Sequence, residues 1–480
     1  MKIHLRPLVA LFTLVGAASA NERHARLARK HNYARDTTTS SMTPSTSTSS
    51  STTSSGSAAV SGATTSVATA SVPTTGPQTN TWGTTIPPLT QITSGMPSQP
   101  TLAVTATYPA GATPPISGAP VLPTPYVFQA SSWPPQDQIA PTDSAEVSEW
   151  MQELNGFDIP DIPPTADGTC AGDPSAAADA ADRGWWTCGG YTRDTDITAC
   201  PDKLTWGVSF DDGPAFYTPQ LLDYLSSINV TSTFFVVGSR VVERPQVLIE
   251  EYMTGHEIAV HTWSHRPLTM LTTEQVVAEL GWTRKAIKDV LGVTPTLMRP
   301  PYGDIDDRVR AISLAMGMVP VIWTRTPSGA TFDTNDWKVP GGVVNGSQSF
   351  ATFQAILNNA TTLDTGFIVL EHDLYPQTVD LAIGYTLPAA LNFTPHLTMD
   401  SIGHCNDIPA TNLYRESNQN TSFPYPNSTS GDSSVPSGSG GSTSTSTSKT
   451  GGSISALNAD AIPMTVIGTA VLAVFGILLL

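Results

Sequence analysis

The sequence is short of cations. Only 23 Lys and Arg stand against 40 Asp and Glu, a formal net charge of −17. With no basic face to offer, nucleic acid is excluded as a partner. Cysteine is scarce as well, with only Cys170, Cys188, Cys200 and Cys405 present. Four cysteines in a chain of 480 residues exclude a disulfide-dense scaffold and a Cys-rich binding module. Large apolar residues are thin over residues 37–120 and 427–450, which are built of Ser, Thr, Pro, Ala and Gly. Such segments cannot offset chain entropy by burial, and Ser/Thr with Pro reads as an O-glycosylated stalk.

What remains, roughly 290 residues over 121–415, is enough for one sizeable core. The ends point to a secreted chain. Residues 1–20 carry Lys2 and Arg6, an apolar stretch and Ala18-Ser19-Ala20, the pattern of a signal peptide. Arg29-Lys30 could serve as a processing site. The last residues, AIPMTVIGTAVLAVFGILLL, are apolar and uncharged. With Gly451, Gly452, Ser453 and Ser455 upstream of a short spacer, they read as a GPI-attachment signal. In an oxidising compartment four cysteines imply two disulfides. Three pairings are open; Cys170–Cys188 with Cys200–Cys405 is favoured, the second stapling the two ends of the folded unit. Sequons at Asn229, Asn345, Asn359, Asn392, Asn420 and Asn427 mark expected N-glycosylation sites.

Periodicity gives the fold class. Residues 142–156 read as a short helix with a capping box from Asp143 and Glu146. From Cys200 onward, apolar runs alternate with helical patterns. Strands are expected at 204–210, 232–238, 256–260, 296–298, 319–323 and 366–372. Helices are expected at 219–228, 245–253, 272–292, 306–316 and 347–360, with Thr272 and Gln275 as a capping box and Gly292 as the stop. Such alternation predicts an α/β fold with a parallel sheet, here a distorted (β/α) barrel of about seven units. Ordered structure is expected to begin between 120 and 143.

Polar residues gather where the strands end. Asp211-Asp212 follow WGVSF, His261 and His265 follow HEIAV in HTWSH, Arg299 follows TLM, and His372 follows FIVLE. In a barrel those ends share one face. Two imidazoles four residues apart can share a metal ion, and an aspartate completes a three-ligand site with a position left for water. Adjacent carboxylates repel unless each has its own work, so one aspartate is expected to bind the cation and the other to take a proton from water. Successive residues at a strand end point in different directions, which makes the division possible.

The runs SFDDGP, HTWSH, RPPYG, DTNDW and IVLEH occur in that order over about 200–400. Together they resemble the five signature motifs of the polysaccharide deacetylases, carbohydrate esterase family four. The one departure is Ser209, where Thr is common. The resemblance implies that Asp211 is the general base and that Asp212, His261 and His265 bind one divalent ion, zinc or cobalt. It implies that Arg299 holds Asp211, that the Tyr302 backbone N–H meets the oxyanion, and that Asp336 orients His372, the general acid. Trp337 and Leu370 would line the acetyl pocket; Asp333 stays unassigned. Within the family the similarity is to GPI-anchored fungal chitin deacetylases. That implies deacetylation of N-acetylglucosamine units in chitin or its oligomers by a monomer outside the plasma membrane or in the wall, with cell-wall glucan as a further partner. Alternatives are an acetyl esterase acting on xylan and a non-catalytic, chitin-binding wall mannoprotein. The expected layout is a signal peptide (1–20), a disordered segment (21–120), an N-terminal extension (121–199), a catalytic domain (200–405), a stalk (406–450) and the GPI signal (451–480).

Overall fold

The computed structural model of the chain describes residues 78–79, 85–97, 100–104 and 106–420. The expected signal peptide, Arg29-Lys30, the 427–450 stalk, Asn427 and the GPI region lie outside the described residues.

The fold is α/β with parallel sheets. Eight short strands build it: β1 Thr205–Gly207, β2 Ser209–Asp211, β3 Thr233–Val236, β4 Glu257–Val260, β5 Leu297–Met298, β6 Val319–Pro320, β7 Phe367–Ile368 and β8 Thr398–Asp400. Five pair in the order β2-β3-β4-β5-β6 and three in the order β8-β1-β7, every ladder parallel. The expected units, about seven, are therefore divided between two sheets. They meet at Val208, whose N–H donates to Asp400 O and whose carbonyl accepts from Thr233 N. Here the first strand changes neighbour from β8 to β3. Strand β8 was not expected; Thr398 and Asp400 make its sequence too polar to read as a buried run.

Phe210, Phe234 and Ile258 stand side by side in register and are buried. Burying each such side chain stabilises the fold by roughly 1.5–3 kcal/mol. Helices pack on the sheets: α1 Thr218–Ser227, α2 Gly238–Glu243, α3 Pro245–Met253, α4 Thr273–Leu291, α5 Asp307–Ala315 and α6 Gly346–Ala360, all but α2 where periodicity placed them. Helix α4 starts on the expected Thr272–Gln275 capping box and stops at Gly292, which adopts φ 81°. The helix expected at 142–156 is shorter, Ala145–Trp150 followed by a 3-10 turn at Met151–Leu154, and Ser144 caps it in place of Asp143.

Both favoured disulfides, Cys170–Cys188 and Cys200–Cys405, are formed. Order begins earlier than 120–143. Ile86 and Ile92 are buried in the core, Pro87 O accepts from the Tyr385 hydroxyl, and Ile92 O accepts from Gly346 N. A few apolar anchors laid on a finished core order a segment whose average composition reads as disordered. The boundary at 405–406 is also too early. Leu413 and Tyr414 are buried, and the Tyr414 hydroxyl accepts from Ile258 N. Among the described residues, no helix is long and apolar enough to cross a membrane.

Candidate active site

Strand ends bring the singled-out residues together. A single parallel bridge pairs Asp211 with His372, and Asp211 N donates to Glu371 O. Arg299 N bonds Val260 O, so Arg299 stands beside the strand that delivers His261.

Asp212, His261 and His265 converge, each offering one ligand atom within 4.8 Å of the others. Asp212 Oδ1 lies 3.1 Å from His265 Nε2 and 3.6 Å from His261 Nε2. That oxygen is buried and accepts no hydrogen bond among the described residues. A buried, unsatisfied carboxylate oxygen facing two ring nitrogens fits a cation. The His261 ring supports this. Its Nδ1 lies 2.7 Å from Arg299 O, a contact that puts the proton on Nδ1 and leaves the Nε2 lone pair facing the carboxylates. Burial pushes the His261 ring below its ordinary pKa against the pull of Asp211 and Asp212. Burial would raise the Asp212 carboxyl, but His265, Arg240, His372 and His261 outweigh it and hold it well below the usual carboxylate range. A neutral ring and an ionised carboxylate are the forms that ligate.

Asp211 faces the other way. Its Oδ1 takes a 2.6 Å ion pair from Arg299 Nη1, which also reaches Ser209 Oγ at 3.0 Å. The guanidinium is buried, with its carbon 4.0 Å from the centre of the Phe235 ring. Asp211 Oδ2 lies 3.8 Å from His261 Nε2. Asp336 grips His372 twice, accepting from the backbone N–H and from Nδ1, both at 2.8 Å. Burial alone would push the His372 ring down. The charge and hydrogen bond of Asp336, with the charges of Asp212 and Asp211, outweigh burial and raise its pKa to about 10.

The remaining expected residues surround this centre. Tyr302, in the turn Pro301–Gly303, holds φ 61°, and its ring lies 4.8 Å from that of His265. Trp337 is half-buried and Leu370 buried. Asp333, left unassigned, acquires a place: it accepts the Trp337 indole N–H at 3.3 Å and bridges Leu370.

Three residues escaped sequence reasoning. Arg240 Nη1 donates to Asp212 O at 2.7 Å. Glu279 accepts from Ser264 N and Ser264 Oγ, both at 2.8 Å, and from Ala140 N at 3.0 Å, fixing the turn between His261 and His265. Asp373 lies under the Asp211–Gly213 loop; a Cβ on Gly213 would fall 2.5 Å from its Oδ2. Only Glu279 left a trace in the sequence, as an acid on the apolar face of α4 three residues after Val276. Of the sequons, Asn229, Asn345, Asn392 and Asn420 are exposed and Asn359 is half-buried.

The family profile described as polysaccharide deacetylase matches residues 198–321. Chitin deacetylase 1 of Cryptococcus neoformans var. grubii is 52% identical over 351 residues, 72% of this chain and 73% of that one. The chain belongs to the polysaccharide deacetylase family. A second relative of this deacetylase, the chitin deacetylase of Amylomyces rouxii, is 36% identical over 272 residues, 54% of this chain and 63% of its own length. The solved structure of the chitin deacetylase from Colletotrichum lindemuthianum is 23% identical, with a TM-score of 0.41 over 48% of this chain and 100% of that one.

Proposed function

We propose that this protein is a metal-dependent hydrolase that removes acetyl groups from the N-acetylglucosamine units of chitin, giving chitosan and acetate. The observation that carries this is the division of labour between two neighbouring carboxylates, Asp212 among imidazoles and Asp211 on a buried arginine. Asp212, His261 and His265 would hold the ion. Bound there, a divalent cation supplies Lewis acidity towards water and a carbonyl oxygen; the ligand set accommodates zinc or cobalt.

The chain's own residues do the rest. Asp211, oriented by Arg299, takes the proton of the attacking water. The Tyr302 backbone N–H donates to the oxyanion as it forms, where fixed donors act most strongly. His372, charged and held by Asp336, gives its proton to the departing nitrogen; an amine leaves poorly without one. Trp337, positioned by Asp333, and Leu370 close around the acetyl methyl.

The architecture supporting this face reads as a distorted barrel. Thr324 N donates to Ile368 O and Leu370 N to Phe332 O, linking the chain beyond β6 to β7. Secretion, glycan at the sequons and a GPI lipid would place a monomer beside wall chitin and glucan.

The test is acetate release from N-acetylglucosamine oligomers by the secreted full-length protein. A chelator should abolish release and added metal restore it. Asp211→Asn should remove turnover while one metal per chain remains. Release from acetylated xylan alone, or none from metal-loaded protein, would refute the reading.

A further inference from the structure

The loop that leaves Asp212 does more than connect. Phe216, four residues later, is 43% exposed, a large ring kept in solvent. It lines a groove of about 360 Å³, whose other walls include Thr101 and Val104 of the N-terminal segment, Pro219 of α1, and Glu243 and Arg244 at the end of α2. That volume falls within the range of small-molecule sites.

The groove is joined to the active site through α2. Arg240 grips Asp212 O, and Arg244 N donates to Arg240 O at 2.9 Å. The two arginines are thus successive rungs at the end of one helix, about 6 Å apart along its axis. The second rung covers Phe216, its guanidinium carbon 3.7 Å from the ring centre. Glu243 holds that guanidinium at 2.7 Å and accepts from Gln136 Nε2 at 2.8 Å. Arg244 is thereby fixed, but its buried Nε–H has no acceptor among the described residues.

We infer that this groove is a distal subsite for the substrate polysaccharide, engaging a sugar unit beyond the one whose acetyl group is cleaved. This rests on the proposed deacetylase reading. A pyranose with equatorial substituents offers flat C–H faces and a rim of hydroxyls. A fixed aromatic ring with Pro219 suits the faces, and the Arg244 Nε–H with the groove's other polar groups suits the hydroxyls. Thr101 and Val104 belong to the segment ahead of the catalytic strands, so chain-length preference would be set in part outside them.

The test compares the N-acetylglucosamine dimer with the hexamer, using full-length, metal-loaded protein. Phe216→Ala should raise the ratio of hexamer KM to dimer KM about tenfold, and Phe216→Tyr should keep the wild-type ratio. An unchanged ratio in Phe216→Ala overturns the subsite. If wild type turns over neither oligomer, the deacetylase reading fails by itself. Calorimetric binding of the hexamer then decides the groove: weaker binding by Phe216→Ala supports it, and equal binding refutes it.

Discussion

Asp336→Asn removes one charge and turns one of two accepting oxygens into a donor, orphaning the His372 backbone N–H when the asparagine Oδ1 keeps its bond to His372 Nδ1. The ring keeps its acceptor while its electrostatic support goes. In the native site the His372 pKa is raised to about 10, with Asp336 the strongest influence opposing burial. At pH 8 nearly every ring is then charged. Without the Asp336 charge, burial pulls the ring down against only the smaller pulls of Asp212 and Asp211. A ring brought back to the ordinary histidine value of about 6.5 carries the proton in about 3% of molecules at pH 8, a loss of roughly thirtyfold in competent enzyme. A cation at Asp212 neutralises the smaller share of the shift owed to that carboxylate, which lowers the native value but leaves the Asp336 share. The assay is the pH dependence of kcat/KM for acetate release, pH 5 to 10. Asp336→Asn should draw the alkaline limb down by two pH units or more and cut the rate at pH 8 about thirtyfold. An alkaline limb that stays in place would refute the reasoning, because His372 would then owe its charge to something else.

Two further outcomes follow from the same physics. Glu279→Gln replaces one of two accepting oxygens with a donor, orphaning a buried N–H at Ser264 or Ala140 at a cost of about 1–3 kcal/mol; metal affinity, read by competition with a chelator, should fall about 10- to 100-fold as the His265 turn loosens. Burial raises Asp304 to about 6, Asp373 and Asp380 to about 7 and Glu371 to about 8. Acids whose folded pKa is raised contribute stability that is complete below pH 4 and lost as pH rises through those values. The urea midpoint should therefore fall between pH 5 and pH 8, and a rising midpoint would contradict the buried, protonated state of these groups.

Some of this was readable from the sequence, for definite reasons. Phe234-Phe235-Val236 and Ile258-Ala259-Val260 are apolar runs buried on both faces, and His261 stands where the second run ends. Helix α4 announced both termini through Thr272, Gln275 and Gly292. What stayed hidden depends on contacts made across the fold. Arg240 touches Asp212 because β2 and β3 are neighbours, and no local pattern says so. Ile86, Ile92 and Tyr414 are single anchors in polar surroundings; composition averages them away, while a pocket on the finished core does not. The eight strands were mostly visible, but the change of neighbour at Val208 turns on hydrogen bonds that side-chain periodicity does not record.

The adjacency of Asp211 and Asp212 is resolved by the backbone. Asp211 ends β2 in extended geometry and turns its carboxylate to Arg299. Asp212 then adopts φ 81°, a left-handed conformation that costs a non-glycine residue about 1–3 kcal/mol. Continued extension would send its side chain to the opposite face of the sheet. The left-handed turn brings it to the imidazoles instead. Thr262 (φ 65°), His265 (φ 56°) and Tyr302 (φ 61°) share the conformation, so both motifs bordering Asp212 carry the same strain. Neighbours hold Asp212 and the His261–His265 turn in place: Arg240 and Phe235 O on the Asp212 backbone, Thr262 Oγ1 accepting from His265 N, and Glu279 on Ser264. These restraints are contacts within the protein, made by groups other than the three ligand atoms. The fold itself thus orients Asp212, His261 and His265, and the surrounding core offsets the conformational cost of doing so.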